Sequence, residues 1–65
     1  MKIDIESVVA RLKIEYVNST PVLAFYFGRG LMYILQTYDL ISLDDAIRLR
    51  DENKKLREEY LKFNA

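Results

Sequence analysis

The stretch from Thr20 to Ile41, TPVLAFYFGRGLMYILQTYDLI, decides the fold of this chain. Most of its residues are large and apolar, aromatic or alanine, and its only charged residues are Arg29 and Asp39. A chain of 65 residues forms one domain at most, and a domain of this size has only a small core. Because the flanking segments are much more polar, we expect the central stretch to supply that core.

The central stretch fits a helix better than a pair of strands. A helix over residues 21–38 would be apolar on nearly all sides, as is typical of a helix buried among others. The alternative is a β-hairpin of VLAFYF and LMYILQ joined by Gly28-Arg29-Gly30. Its strands do not alternate between apolar and polar residues, and both of its faces would need to be covered. We therefore predict a helix.

Two further helices are predicted, over residues 5–17 and 43–63. Asp4 and Ser42 are suitable N-caps, and Thr20-Pro21 suits the start of the central helix. The apolar face of the first helix is formed by Ile5, Val8, Val9, Leu12 and Tyr16. The sequence thus predicts an all-α protein, a single helical domain over residues 1–65 in the form of a short three-helix bundle.

The third predicted helix carries a coiled-coil-like heptad pattern. Its apolar residues, with one Asn, recur at alternating spacings of three and four: Ala46, Leu49, Asn53, Leu56, Tyr60 and Phe63. Asn53 falls at an a position, where a single Asn can fix the register of a two-stranded coil. The pattern predicts a homodimer whose interface is formed by Leu49, Asn53, Leu56, Tyr60 and Phe63.

Charges beside the heptad favour a parallel dimer. In that arrangement Glu52 would face Arg57 of a second copy, and Asp45 would face Arg50. An antiparallel dimer would bring like charges together. Two alternatives remain open: the same apolar positions can form the inner face of a helix packed within one chain, and the central segment can support a tetramer.

Composition excludes several classes of site. The chain has neither Cys nor His, which removes disulfides and most zinc, haem and iron–sulfur schemes, so we expect no metal and no cofactor. Lys plus Arg and Asp plus Glu each number 10, so there is no basic excess of the kind typical of nucleic-acid binders.

The sequence begins without a signal-peptide pattern, and its longest apolar run is shorter than the roughly 20 residues of a spanning helix. We expect a cytoplasmic protein that does not enter the membrane.

The best candidates for a partner-binding surface lie on the central helix. Tyr26, Arg29, Tyr33 and Gln36 are spaced so that they share one side of a helix. Tyr and Arg dominate the energetics of many protein interfaces. The alternative is that these residues merely border the core, with Arg29 extending its charge into water. A third possibility is that Arg29 and the two tyrosines hold a phosphate or a base.

Neither catalysis nor nucleic-acid binding is favoured by the remaining polar residues. The serines lie at predicted helix ends, where they act as caps, so we expect no enzymatic activity. Basic residues recur every seven positions, but each has an acidic residue four positions earlier: Asp44 and Arg48, Asp51 and Lys55, Glu58 and Lys62. We expect a small non-enzymatic interaction module, an adaptor, inhibitor or regulator, that acts as a homodimer on an unidentified protein partner. The alternative is a dimeric nucleic-acid-binding regulator that uses Arg29 and the basic residues of the third helix.

Overall fold

The chain folds into three helices. The computed structural model describes the backbone of residues 3–63 and the side chains of residues 3–62. Helix α1 spans Ile5–Asn18, α2 spans Pro21–Thr37 and α3 spans Leu43–Phe63. The all-α prediction is confirmed. Helix α2 passes through both glycines without a break, and residues 3–63 contain no strand, so the β-hairpin alternative is wrong.

Each helix begins at a side-chain cap. The Asp4 carboxylate accepts a hydrogen bond from the Glu6 amide at 3.3 Å. Thr20 caps α2 through its hydroxyl, and Ser42 caps α3 by accepting from the Asp45 amide at 3.1 Å. These side chains satisfy amides that a helix leaves unpaired in its first turn. Local sequence therefore fixes where every helix starts.

Helix α2 ends in a Schellman motif. The amide of Asp39 donates to Gln36 O at 3.1 Å, and that of Leu40 donates to Leu35 O at 2.8 Å. Asp39 adopts the left-handed backbone, with φ of 55°, that this motif requires. The Ile3 amide donates to Leu40 O at 2.9 Å, so the backbone just before the Asp4 cap is tied to the same turn.

All three helices contribute to one core. Its buried apolar residues are Val8, Val9, Leu12, Tyr16, Ala24, Leu35, Ile41, Ala46, Leu49 and Leu56. Helix α2, although the most apolar, buries fully only a narrow face at Ala24, Gly28 and Leu35. Helices α1 and α3 cover only one side of α2. Much of the central stretch therefore lies at the surface, and the expectation that it supplies the core is only partly correct.

The heptad residues of α3 pack within the chain. Leu49, Asn53 and Leu56 are buried against the other two helices, and Tyr60 is half-buried with its ring centroid 5.5 Å from that of Tyr16. The side chain of Phe63 lies outside the described residues. The seam that the sequence assigned to a dimer is thus the inner face of α3, because both kinds of packing require the same spacing. The homodimer itself stays a prediction.

No described helix combines the length and the apolar character needed to cross a membrane.

Candidate functional site

Asn53 joins the three helices and forms the floor of a groove between α2 and α3. The Tyr16 hydroxyl of α1 donates to Asn53 Oδ1 at 2.7 Å and also to the Asn53 backbone carbonyl at 3.0 Å. Asn53 Nδ2 donates to the backbone carbonyl of Phe25 in α2 at 2.9 Å. The Asn53 side chain is 3% exposed, yet both ends of its amide have partners. Its burial therefore avoids the penalty of an unpaired polar group.

Gly28 is what allows Asn53 to approach α2. A Cβ atom at Gly28 would lie 2.6 Å from both Cγ and Oδ1 of Asn53 and 2.7 Å from Nδ2. Carbon atoms do not approach so closely without displacement, so a side chain at this position would compete with the amide for the same space. The absence of a side chain at Gly28 thus permits the close approach of α2 and α3 at Asn53.

Tyr16 is held as a neutral hydrogen-bond donor. Burial raises the pKa of its hydroxyl to about 12, and the positive charge of Arg57 partly opposes this shift. The hydroxyl is protonated at neutral pH, as in any tyrosine, and the raised pKa lets it keep donating to Asn53 in more alkaline solution.

The groove has a volume of about 320 Å³. Its lining combines Asn53, Gly28 and two apolar side chains with four cationic ones: Phe25, Gly28, Arg29, Met32, Arg50, Asn53, Lys54 and Arg57. The three cations of α3 are spaced by four and three residues, which puts them on one face of the helix. Arg29 approaches from α2. No Asp or Glu side chain is among these lining residues.

Most of this positive charge lacks an internal counterion. The Arg50 Nη2 atom lies 3.3 Å from Asp51 Oδ1, and both side chains are well exposed. Arg29, Lys54 and Arg57 form no ion pair with any residue between positions 3 and 62. Asp45 and Glu52 of α3 lie on the other flank of its buried face. A chain of zero net charge therefore has a locally cationic groove.

Phe25 holds one guanidinium in place at this groove. The Arg57 Cζ atom lies 4.2 Å from the centroid of the Phe25 ring, within the range of a cation–π contact. Arg29 Cζ lies 6.0 Å from the same centroid. The Arg57 Nε atom is buried and has no hydrogen-bond partner among the described residues. A cation of fixed position with an unused donor is suited to binding an anion.

The residues predicted to bind a partner lie beside this groove. Tyr26, Arg29, Tyr33 and Gln36 are all exposed along α2, and we refer to them as the α2 stripe. Arg29 belongs to both the stripe and the groove. Gln36 borders a smaller depression of about 160 Å³ toward the start of α3. The partner-binding role of the stripe stays a prediction.

Sequence reasoning missed the groove itself. The sequence predicts interchain ion pairs for Arg50 and Arg57, groups Lys54 only with the other basic residues of the third helix in the nucleic-acid alternative, and predicts no role for Phe25. The signal was nevertheless present, because the basic residues of α3 at spacings of four and three form a row that no acidic residue interrupts. Which helix that row faces depends on the packing.

The second basic row of α3 lies elsewhere and is partly neutralised. Arg48 forms an ion pair with Glu6 of α1, with an Nη2–Oε2 distance of 2.9 Å, and not the predicted pair with Asp44. Lys55 and Lys62 lie on the same row and do not line the groove. Arg48 therefore helps to join α3 to α1.

Among the described residues, no group of three or more Asp or Glu side chains is placed to hold a metal ion.

No protein-family model, curated protein or solved structure matches the chain. Its function is therefore inferred from the geometry of the stripe and the groove.

Proposed function

We propose that the chain is a small non-enzymatic interaction module that binds a protein partner through the α2 stripe. The observation that supports this proposal most directly is the exposure of Tyr26 and Tyr33, at 60% and 71%, on a helix held by the core. Tyr offers a large contact area and a polar tip, and it loses little conformational entropy on binding. Arg29 and Gln36 add polar contacts on the same side of the helix.

A matched pair of tyrosine variants tests the stripe. Tyr33→Ala is expected to reduce capture of the partner by roughly tenfold or more, because interface tyrosines often contribute over 1 kcal/mol. Tyr38→Ala is the control, since Tyr38 is equally exposed at 72% but lies outside the stripe. Capture by the tagged chain would be quantified by mass spectrometry, with circular dichroism as the check on folding. Equal losses from both variants, or no protein enriched by the unmodified chain, would refute the proposal.

The proposal includes a homodimer, and its interface lies on another face of α2. Leu23, Phe27, Gly30 and Ile34 are spaced by four, three and four residues and form an exposed row without charge. We refer to them as the outer row. Helix α2 has 17 residues, and its outer row is apolar and exposed. Such a face is suited to contact with the same face of a second copy. Because the α3 heptad is used within the chain, we propose the outer row as the surface for such a contact.

Leu23→Glu is expected to separate association from folding. Glu at this position is three residues after the Thr20 cap and completes a capping box, which favours the helix. The same Glu puts a charge into the outer row, so the dimer should dissociate at least roughly tenfold more readily. Leu43→Glu is the matched control, because Leu43 is similarly exposed in the first turn of α3.

Sedimentation equilibrium at micromolar concentration measures this effect. The unmodified chain and Leu43→Glu should give twice the chain mass of 7.7 kDa, and Leu23→Glu should approach the mass of one chain. A monomeric unmodified chain would refute the dimer, and a dimeric Leu23→Glu would refute the outer row as its interface.

A second candidate function is a dimeric nucleic-acid-binding regulator. The cationic side chains of the groove and the two exposed tyrosines beside it support this hypothesis, since single-stranded nucleic acids bind to basic grooves with aromatic platforms. Such a regulator should retain RNA or DNA at about 50 mM salt and release it steeply as salt rises. Absence of binding at that salt concentration would refute it.

A further inference from the structure

We propose that the groove between α2 and α3 binds an amphipathic helix of the partner whose acidic side chains face Arg29, Lys54 and Arg57. This inference rests on the proposed function, because it takes the partner to be a protein, and it adds the chemistry of the segment that binds. Three observations support it. They are the order of residues along α3, the short length of the cationic patch formed there by Arg50, Lys54 and Arg57, and the unpaired Nε of Arg57.

The exposed side of α3 at the groove has the spacing of a helix-packing face. Six residues follow one another at intervals of four, three, four, three and four: Leu43, Ile47, Arg50, Lys54, Arg57 and Leu61. This is the alternation that keeps side chains on one seam between two helices. Leu43, Ile47 and Leu61 are exposed at the two ends, with the basic residues between them. A partner helix with acidic residues in the middle and apolar residues at both ends is the complement of this face.

The length of the cationic patch favours such a helix over a nucleic acid. Arg50 and Arg57 are two turns apart, so the patch extends only roughly 10 Å along α3. A polynucleotide carries charge along its whole length, and it would meet apolar side chains immediately beyond the patch. Apart from Arg29 and the three residues of the patch, no basic residue between positions 3 and 62 lines the groove, and Arg48 pairs with Glu6 on another side of α3. A few carboxylates match the patch in number and extent.

Arg57 provides the most specific contact. Its guanidinium rests on Phe25 with Nε unpaired, so the free protein leaves one of its strong donors unused. Carboxylates accept two parallel hydrogen bonds from a guanidinium, often through Nε and one Nη. A carboxylate in the groove would pair with the guanidinium that Phe25 holds there, while Arg29 adds charge from α2 and Lys54 from α3.

The probe for this inference is a fluorescein-labelled helical peptide of about 20 residues, with Leu, Leu, Glu, Glu, Glu and Leu at the same alternating spacing. A second peptide has the three Glu replaced by Gln. Fluorescence anisotropy with the full chain at about 50 mM salt should show the Glu peptide binding roughly tenfold or more tightly than the Gln peptide. Arg57→Gln should weaken binding of the Glu peptide by about tenfold.

Two adjacent lysines provide the control for nonspecific charge. Lys54 lines the groove and Lys55 does not, yet both are exposed and consecutive on α3. Lys54→Gln should weaken binding of the Glu peptide about two- to fivefold, the range of an exposed ion pair, and Lys55→Gln should leave it within about 1.5-fold. Equal effects of the two variants would show only general attraction and would overturn the inference.

Other occupants of the groove are distinguished by the same assay. The inference is wrong if the two peptides bind equally, or if a 12-nucleotide single strand or inorganic phosphate binds more tightly than the Glu peptide. It is also wrong if Lys54→Gln lowers the sedimentation mass of the chain, because the groove would then be an interface between copies. Any of these results would leave the Tyr33→Ala test of the α2 stripe intact, so the inference and the proposed function can fail separately.

Discussion

Gly28→Ala is expected to destabilise the chain strongly, whereas Gly30→Ala is expected to stabilise it. At Gly28 the new methyl would overlap the buried Asn53 amide, with three atoms at 2.6 to 2.7 Å. Overpacking of this kind costs about 1–3 kcal/mol, and disturbing the buried hydrogen bonds of Asn53 costs about 1–3 kcal/mol more. A core this small supplies about 3–5 kcal/mol in total, so the loss approaches the whole stability of the fold.

Gly30 is the matched control because it lies two residues further along the same helix. Apart from the chain neighbours of Gly30 and the nearby backbone of α2 itself, no described heavy atom lies within 4 Å of the position that a Cβ would take, and the backbone has no positive φ. Alanine should therefore gain about 1 kcal/mol from its higher helix propensity. Thermal and urea unfolding followed by circular dichroism would measure both variants. If Gly28→Ala were as stable as Gly30→Ala, the close approach of α2 and α3 at Asn53 would be wrong.

Asn53→Ala is expected to cost about 2–4 kcal/mol in the free energy of unfolding, because it removes two buried hydrogen bonds and opens a cavity. The same substitution vacates the space into which a methyl at Gly28 would intrude. The double variant Gly28→Ala/Asn53→Ala should therefore be more stable than the sum of the single effects by at least about 1 kcal/mol. This rescue is specific to contact between the two positions within one chain.

A double-mutant cycle by urea unfolding measures that coupling, with Lys55→Ala as an exposed control expected to change stability by less than about 0.5 kcal/mol. If Asn53 instead paired with its counterpart in a parallel dimer, Gly28 and Asn53 would be distant and their effects would add. Additive effects would thus refute the intramolecular position of Asn53.

The sequence alone was sufficient for the helices, since their signals are local. Asp4, Thr20 and Ser42 form the expected caps, and α2 begins at Pro21 as predicted. The predicted ends were less accurate: α1 continues one residue further, to Asn18, and α2 ends one residue earlier, at Thr37. Where a helix ends depends on the turn that follows it. Asp39 has the left-handed backbone that ends α2, but an Asp in the sequence does not by itself predict that conformation.

The candidate site was only partly accessible from the sequence. Helical periodicity correctly placed Tyr26, Arg29, Tyr33 and Gln36 along one exposed side of α2, because that geometry is a property of a single helix. The groove joins residues that are far apart in the chain, such as Phe25 and Arg57. Patterns within a single helix carry no information about contacts between residues so far apart in the chain. The cationic lining therefore becomes visible only when α2 and α3 are seen in contact.

The sequence by itself determined that this protein has three helices, where each begins and which residues share a helix face, because caps and periodicity act within one helix. Only the tertiary structure decided which faces meet. A spacing of three and four residues suits a second copy and a neighbouring helix of the same chain equally well, and Asn53 is compatible with either. The contact of its amide with Gly28, Tyr16 and Phe25 resolves that choice in favour of the single chain. The basic residues beside it, left without partners by this packing, form the groove that we propose as the binding site.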